Sequence, residues 1–292
     1  MAGNSEFDAF IAEEVKKYKD IFVPVKATAT ERLFVTKLDC RKLHPNPADE
    51  FCDPEIGPNY EIISNYVKEY LLPVPPKKLE DPLQIEKIRP DGYLILNGHH
   101  RWAAAMKAGK KKLPVHIVNL TQETDINKML RKAASDRRVT LDLDESVFCA
   151  ADDPSAEPAL KTRFRKLFRE RIRWGVPALM HYLTTQGYDI WVYTSNYYSF
   201  DYIREYFRRY SVNLTGIITG SSRKRIGHES AKKRIEQKMA KQYAETIHID
   251  SRMLLRTGRN IKVFEEYSLD CDPIDWSARA MSALRELDEG RA

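Results

Sequence analysis

The sequence predicts an α/β protein, with a Rossmann-like parallel sheet in its second half and a smaller α+β unit before it. Three observations carry this. From Val139 onward, strand-like and helix-like runs alternate, and such alternation implies parallel strands joined by helical crossovers. The first 120 residues lack that rhythm and mix a hairpin with short helices. Between them, residues 121–136 form a polar, helix-prone stretch that reads as a linker. The expected division is therefore 1–120, a linker helix 121–136, an α/β domain 137–270 and a helical tail 271–292.

Element by element, the first twenty residues suit an amphipathic helix. "ERLFVTKLDC" from Glu31 alternates like a strand, and a turn-rich stretch follows it. "YEIISNYVKEYLL" from Tyr60 has helical spacing, and the prolines of "PVPPKKLEDP" stop it. "LQIEKIRPDGYLILNG" from Leu83 reads as a hairpin turning at Pro90-Asp91-Gly92. "RWAAAMKAG" is a short helix closed by Gly109, and "LPVHIVNL" is a strand. In the second half, strands are expected at "VTLDLD", "YDIWVYTSN", "LTGIITG", "TIHIDS" and "NIKVFEEY". Helices are expected at "LKTRFRKLFRERIRWGVPALMHYLTTQG", "FDYIREYFRRYS", "ESAKKRIEQKMAKQY" and "SARAMSALRELDEG".

Composition narrows the class. With 42% hydrophobic and 31% charged residues among 292, the chain is globular in type. No apolar run nears ~20 residues and no signal-like start is present, so no membrane partner and a cytoplasmic location are expected. Four scattered cysteines read as reduced thiols. The net charge of +6 is concentrated in "KTRFRKLFRERIRW" and "SSRKRIGHESAKKR". Those runs read either as a surface for phosphate-bearing partners, nucleic acid included, or as solvated helix faces.

The candidate chemistry lies at strand ends, where ligands of parallel α/β sheets bind. Asp142 and Asp144 follow "VTL", Thr194-Ser195-Asn196 follow "IWVY", and Asp250 follows "IHI". Carboxylates crowded there repel one another unless a hard cation sits between them, and an oxygen-only set suits magnesium. The alternative is a pair of helix-capping carboxylates. "LDLDES", "VYTSN" and "HIDS" resemble three motifs of the haloacid dehalogenase (HAD) superfamily over about residues 137 to 267. That resemblance implies a phosphatase acting through an aspartyl-phosphate. Asp142 would be the nucleophile, Asp144 the acid and base, and Thr194 a phosphoryl ligand. Lys232 or Lys233, with Lys224 behind them, would be the cation. Mg2+ would be held by Asp142, Asp250 and the carbonyl of Asp144. The further acidic residue many members carry beyond the fourth motif is missing from "IDSRMLLRTG", so Ser251 or water would complete the shell.

In the first half, "LNGHHRWAAA" places Gly98, His99, His100 and Arg101 between a strand and a helix. Glycine lets backbone amides approach an anion, the helix start adds free N–H groups, and Arg101 can grip phosphate oxygens twice. The alternative is that the histidines cap the helix. With "KLHPNPADEF" upstream, this stretch resembles the ParB/sulfiredoxin superfamily over roughly residues 30 to 120. His99 stands where sulfiredoxins need cysteine. The double histidine is closest to the free-serine kinases, which implies ATP, ADP or another nucleotide as ligand and a glutamate base, with Glu50 the nearest match and Asp49 and Glu55 as alternates.

Together these readings give a magnesium-dependent phosphoryl-transfer enzyme with a nucleotide- or phosphate-binding first domain that also admits a kinase step. Two others stand beside it: a phosphatase that processes nucleic-acid ends, and a regulator that binds nucleic acid or nucleotide. Expected partners are a phosphorylated small molecule, a nucleotide or a nucleic-acid end.

Overall fold

The structure, a computed structural model, describes residues 2–18, 22–161, 164, 167–221, 228–259 and 265–289, without the side chains of 2–5, 18 and 228–232. The chain folds as two compact units, the first ending at Asn119 and the second beginning at Leu120. No helix among the described residues is long and apolar enough to cross a membrane.

The first unit opens with α1 (Ala2–Tyr18), β1 (Val23–Pro24) and α2 (Ala29–Leu33). It continues through β2 (Thr36–Asp39), β3 (Leu43–His44) and α3 (Tyr60–Tyr70) to β4 (Leu83–Arg89), β5 (Tyr93–Asn97), α4 (His99–Lys107) and β6 (Lys112–Ile117). Its sheet runs β2-β6-β4-β5-β3, with β1 paired to β4. The strand expected over 31–40 is shorter, because Ala29–Leu33 is helical. A capping box closes its start, Thr28 Oγ1 accepting from Glu31 N while Glu31 accepts from Thr28 N. The apolar filling comes from α3, α4 and the sheet, around the fully buried Trp102, Phe51 and Ile63.

The second unit begins with α5 (Glu123–Leu130) and β7 (Arg137–Asp142), followed by the short pair β8 (Phe148–Cys149) and β9 (Arg171–Ile172). Then come α6 (Val176–Thr185), β10 (Asp189–Thr194), α7 (Phe200–Arg208), β11 (Gly216–Thr219) and α8 (His228–Gln242). β12 (Glu245–Ile249), β13 (Met253–Gly258), β14 (Glu265–Ser268) and α9 (Trp276–Glu289) complete it. The sheet order is β11-β10-β7-β12-β13-β14. The first four strands are parallel, and β13 and β14 extend the sheet antiparallel.

Several expectations are corrected here. The stretch 121–136 is part of the second unit rather than a free linker. Thr121 Oγ1 donates to Ile217 O at 2.9 Å, Met129 Sδ accepts from Ile217 N at 3.2 Å, and Glu123 pairs with Arg234 and Lys238. This covers the outer edge of β11, which would otherwise present unpaired backbone groups. Of the long helix expected over 160–187, the described residues show α6 and a helical Phe164, with 162, 163, 165 and 166 outside those described. Arg171–Ile172 pairs with Phe148–Cys149 instead, and Gly175 turns the chain with φ +77 where a Cβ would lie 2.8 Å from Ser277 Cβ. β13 falls in "RMLLRTG", for which the sequence predicts no element, and "NIKVF" of the expected last strand overlaps residues outside those described.

Gly216 shows how tightly the parallel core is filled. It sits opposite Trp191 in register, and a Cβ there would meet the indole at 2.0 Å. Trp191 is fully buried, and its Nε1 donates to Tyr243 Oη at 2.8 Å, so the ring has little room to move. Gly216→Ala should therefore lower unfolding stability by about 3 kcal/mol through overpacking. A urea midpoint equal to that of the wild type would contradict this packing.

Candidate functional site

In the second unit, β10, β7 and β12 are neighbours whose carboxyl ends are in register. Tyr193 lies opposite Asp142, and Leu141 opposite Ile249. Asp142, Thr194 and Asp250 therefore finish three adjacent strands at one level, with parallel neighbours about 4.8 Å apart. The chain leaves β7 through a π turn, Leu143–Val147. Asp142 caps this turn, its Oδ1 accepting from Asp144 N at 2.8 Å and Glu145 N at 3.0 Å. Asp250 does the same for its own turn, its Oδ1 accepting from Arg252 N at 2.7 Å and Met253 N at 2.8 Å. In both residues Oδ2 accepts no hydrogen bond from any described residue. Capping and ligand chemistry are thus compatible: one oxygen fixes the turn and the other is bonded to no described residue.

Asp144 behaves differently. Its carboxylate accepts from Thr194 Oγ1 (2.8 Å), Ser195 N (2.7 Å), Ser195 Oγ (2.8 Å) and Asn196 Nδ2 (2.7 Å). Burial pushes its pKa upward, but the donors from Ser195, Asn196 and Thr194 outweigh that and hold it below the usual carboxylate value. The neighbouring chain supports this grip from behind. Gly220 N donates to Asn196 O and Ser221 N to Thr194 O, each at 3.0 Å, which ties the end of β11 to the same loop.

Two residues expected at the site thus bind one another. Thr194 is fully buried, its hydroxyl donating to Asp144 and accepting from Asn196 N. Lys233 is exposed and forms no hydrogen bond or ion pair with Asp142, Asp144 or Asp250. Lys224 and the side chain of Lys232 lie outside the described residues, as do parts of the two basic runs. Ser195 and Asn196, which the sequence places at the strand end without a role of their own, supply three of the four donor groups on Asp144.

Nor do Asp142, Asp144 and Asp250 form a three-side-chain metal cluster. Among the described residues no group of three or more His, Cys, Asp or Glu side chains could hold an ion. The physical reason is that the Asp144 carboxylate is consumed by the β10 loop. What remains is an oxygen-only set: Oδ2 of Asp142, Oδ2 of Asp250 and the main-chain carbonyl of Asp144. Its chemistry fits magnesium, with water filling the other positions.

In the first unit, Gly98 is the left-handed N-cap of α4 (φ +100), and a Cβ there would lie 2.3 Å from Leu83 Cδ2. Only glycine lets strand β5 turn this sharply into the helix. Arg101 folds back over Gly98, Nη2 lying 3.2 Å from that hypothetical Cβ, and its Nη1 donates to Asp81 O at 2.6 Å. The histidines turn the other way. His99 Nε2 accepts from Asn46 N and His100 Nε2 from Asn59 N, both at 3.1 Å, so the pair straps down the loop running from 46 to 59. Because Nε2 of His99 is an acceptor, its proton resides on Nδ1, which faces Asp49 Oδ1 at 3.6 Å. Asp49, not the exposed Glu50, is the acid set against the histidines.

These geometries frame the comparisons with known proteins. Residues 57–133, spanning α3 to α5, match the ParB N-terminal domain family. Among solved structures, the chain is similar to the truncated chromosome-partitioning protein ParB from Caulobacter crescentus complexed with CTP-gamma-S. That likeness has 24% identity and a TM-score of 0.22, covering 35% of this chain and 61% of that one. A free serine kinase mutant in complex with ADP shows 16% identity over 59% of this chain and 69% of that one, also at TM-score 0.22. A second mutant, in complex with AMP, shows 15% identity over 76% and 77%, at the same TM-score. TM-scores this low carry no inference about ligands or activity. No curated protein matches the chain.

Burial lowers the pKa of His99 to about 4, against the pull of Asp49, and His100 is lowered in the same way. Above pH 6.5 both folded and unfolded chains hold these rings neutral, and the stabilisation is complete. As pH falls from 6.5 toward 4 the unfolded chain takes up a proton at position 99 first, so His99 costs up to about 1.4 kcal/mol of stability per pH unit, and His100 acts in the same direction. Urea melts should show the wild type losing stability between pH 7 and 5, and His99→Gln losing distinctly less over that interval. Parallel pH profiles for the two proteins would contradict the buried neutral assignment.

Proposed function

We propose that the second unit is a phosphohydrolase working through Asp142, and that the first unit binds the phosphate of a nucleotide or other phosphorylated molecule at Gly98 and the start of α4. This is the activity that the resemblance to the HAD superfamily implies. The observation that carries it is the shared level of Asp142 and Asp250 on adjacent parallel strands, each with one carboxylate oxygen tied to its own turn and one bonded to no described residue.

In this reading Oδ2 of Asp142 attacks phosphorus and the phosphorus–oxygen bond to the leaving group breaks. The electron pair leaves with that oxygen, and an aspartyl-phosphate remains. Water then attacks the same phosphorus, releasing inorganic phosphate and restoring the carboxylate. The two amides on Oδ1 hold the nucleophile in one orientation, so little ordering is needed at the moment of reaction. Magnesium, where bound by Asp142, Asp250 and the carbonyl of Asp144, would neutralise charge between the carboxylate and phosphoryl oxygens. Asp144 is a positioning residue: it fixes the β10 loop against the π turn. In the conformation described, the leaving oxygen receives no proton from it.

In the first unit, the free N–H groups at the start of α4 and the Arg101 guanidinium supply donors to an anion, and the histidines hold the 46–59 loop beside it. The match of 57–133 to the ParB N-terminal domain supports this placement.

The test is phosphate release, with and without magnesium, from a graded series of aryl and alkyl phosphates, nucleotides and phosphorylated oligonucleotides. Without a ready acid, rates should climb steeply as the leaving group becomes more acidic. Asp142→Asn should reduce release by about a thousandfold or more while the fold persists. Undiminished release by that variant, or alkyl esters cleaved as fast as aryl esters, would defeat the reading.

A further inference from the structure

At the far end of β5 from Gly98, the β4–β5 hairpin borders a half-open cavity of about 500 Å³ lined by Val25, Lys42, Lys87, Ile88, Arg89, Pro90, Asp91, Gly92 and Tyr93. This volume is in the range that takes a small molecule. Neither the sequence motifs nor the site at Gly98 uses it, since five residues of strand separate the two ends.

The lining is built from three segments. Lys87 and Arg89 alternate along β4 and so share a face. Lys42 closes the 3-10 turn after β2, and Tyr93 opens β5. Backbone packing fixes their approach. Gly92 sits at φ +81 so close to Lys42 O and His44 that a Cβ would lie 2.8 Å from the first and 2.3 Å from the ring. Val25 N donates to Lys87 O at 2.8 Å and closes the third side.

Charge then selects the ligand. Lys87 is committed to Glu31 at 2.7 Å, and that contact pulls the Glu31 carboxyl down to about 2. Lys42 and Arg89 make no hydrogen bond or ion pair with any described residue, and neither does the Tyr93 hydroxyl. Two uncommitted cations and a phenol thus line one cavity, beside apolar Val25, Ile88 and Pro90, and they outnumber the one lining carboxylate, Asp91. We propose that this hairpin cavity is a second anion site, which takes the phosphate group of a small phosphorylated molecule through Arg89 and Lys42, with Tyr93 donating to a third oxygen and the apolar wall receiving the ligand's body.

The test is to titrate the full chain with inorganic phosphate at constant ionic strength, following the amide resonances of Gly92 and Gly98, and then to repeat it with a panel of nucleoside monophosphates and sugar phosphates. Gly92 should shift saturably in the wild type and in Arg101→Gln. Binding at Gly92 should weaken at least about tenfold in Arg89→Gln/Lys42→Gln, whose residues are exposed and tolerate exchange without loss of fold. An esterified phosphate with an apolar body should bind more tightly than phosphate itself. Matching shifts with chloride alone, no saturation at Gly92, or unchanged Gly92 affinity in the double variant would each overturn the proposal. A Gly92 response that vanishes only in Arg101→Gln would assign the effect to the helix site and overturn it too.

Discussion

The grip of the β10 loop on the Asp144 carboxylate is the interaction on which the rest of the second unit depends. Four donor groups from three consecutive residues converge on one carboxylate. Hydrogen bonds to a charged acceptor contribute about 1.5–3 kcal/mol each before coupling is considered, far more than a neutral turn would. They oblige β7 and β10 to end together, and they draw Asp144 N into the turn that fixes Asp142 Oδ1. Asp142 and Asp250 each keep one oxygen that no described residue binds. Sequence places three aspartates at strand ends; packing divides them into one that clamps the β10 loop and two that cap their own turns.

The same logic applies to the first unit with opposite outcome. The residues that looked most like ligands, His99 and His100, accept backbone amides from the 46–59 loop and are held neutral by burial. Their work is to order a loop next to the start of α4. The donors that remain for an anion there are the helix amides and Arg101, whose guanidinium lies over a glycine that nothing larger could replace. A histidine pair beside a glycine is therefore a weaker sign of a ligand than the glycine and arginine themselves.

How much was legible follows from which forces are local. Alternation of period and strand-end polarity were sufficient to place β7, β10, β11 and β12, and the hairpin at Pro90-Asp91-Gly92 follows from turn chemistry. Non-local pairing was not legible. "RI" at 171–172 sits within a helix-like pattern, yet it pairs with Phe148–Cys149, and "RMLLRTG" becomes a strand only because β12 offers an edge. The capping box at Thr28 and Glu31 was readable but was overridden by the apolar alternation that follows it. At the site, residue identity gave the positions but not the direction of each side chain. Thr194 could have faced a substrate; only the packed loop shows that it faces Asp144.

If Asp142 is the group that receives the phosphoryl, the intermediate should be trapped there. The direct measurement is to mix the full chain with an aryl phosphate and magnesium, reduce the acyl-phosphate with borohydride, and map the altered residue by peptide mass spectrometry. The account predicts homoserine at position 142 in the wild type and none in Asp142→Asn. An unmodified Asp142 under conditions of steady phosphate release, or a label at another residue, would contradict it.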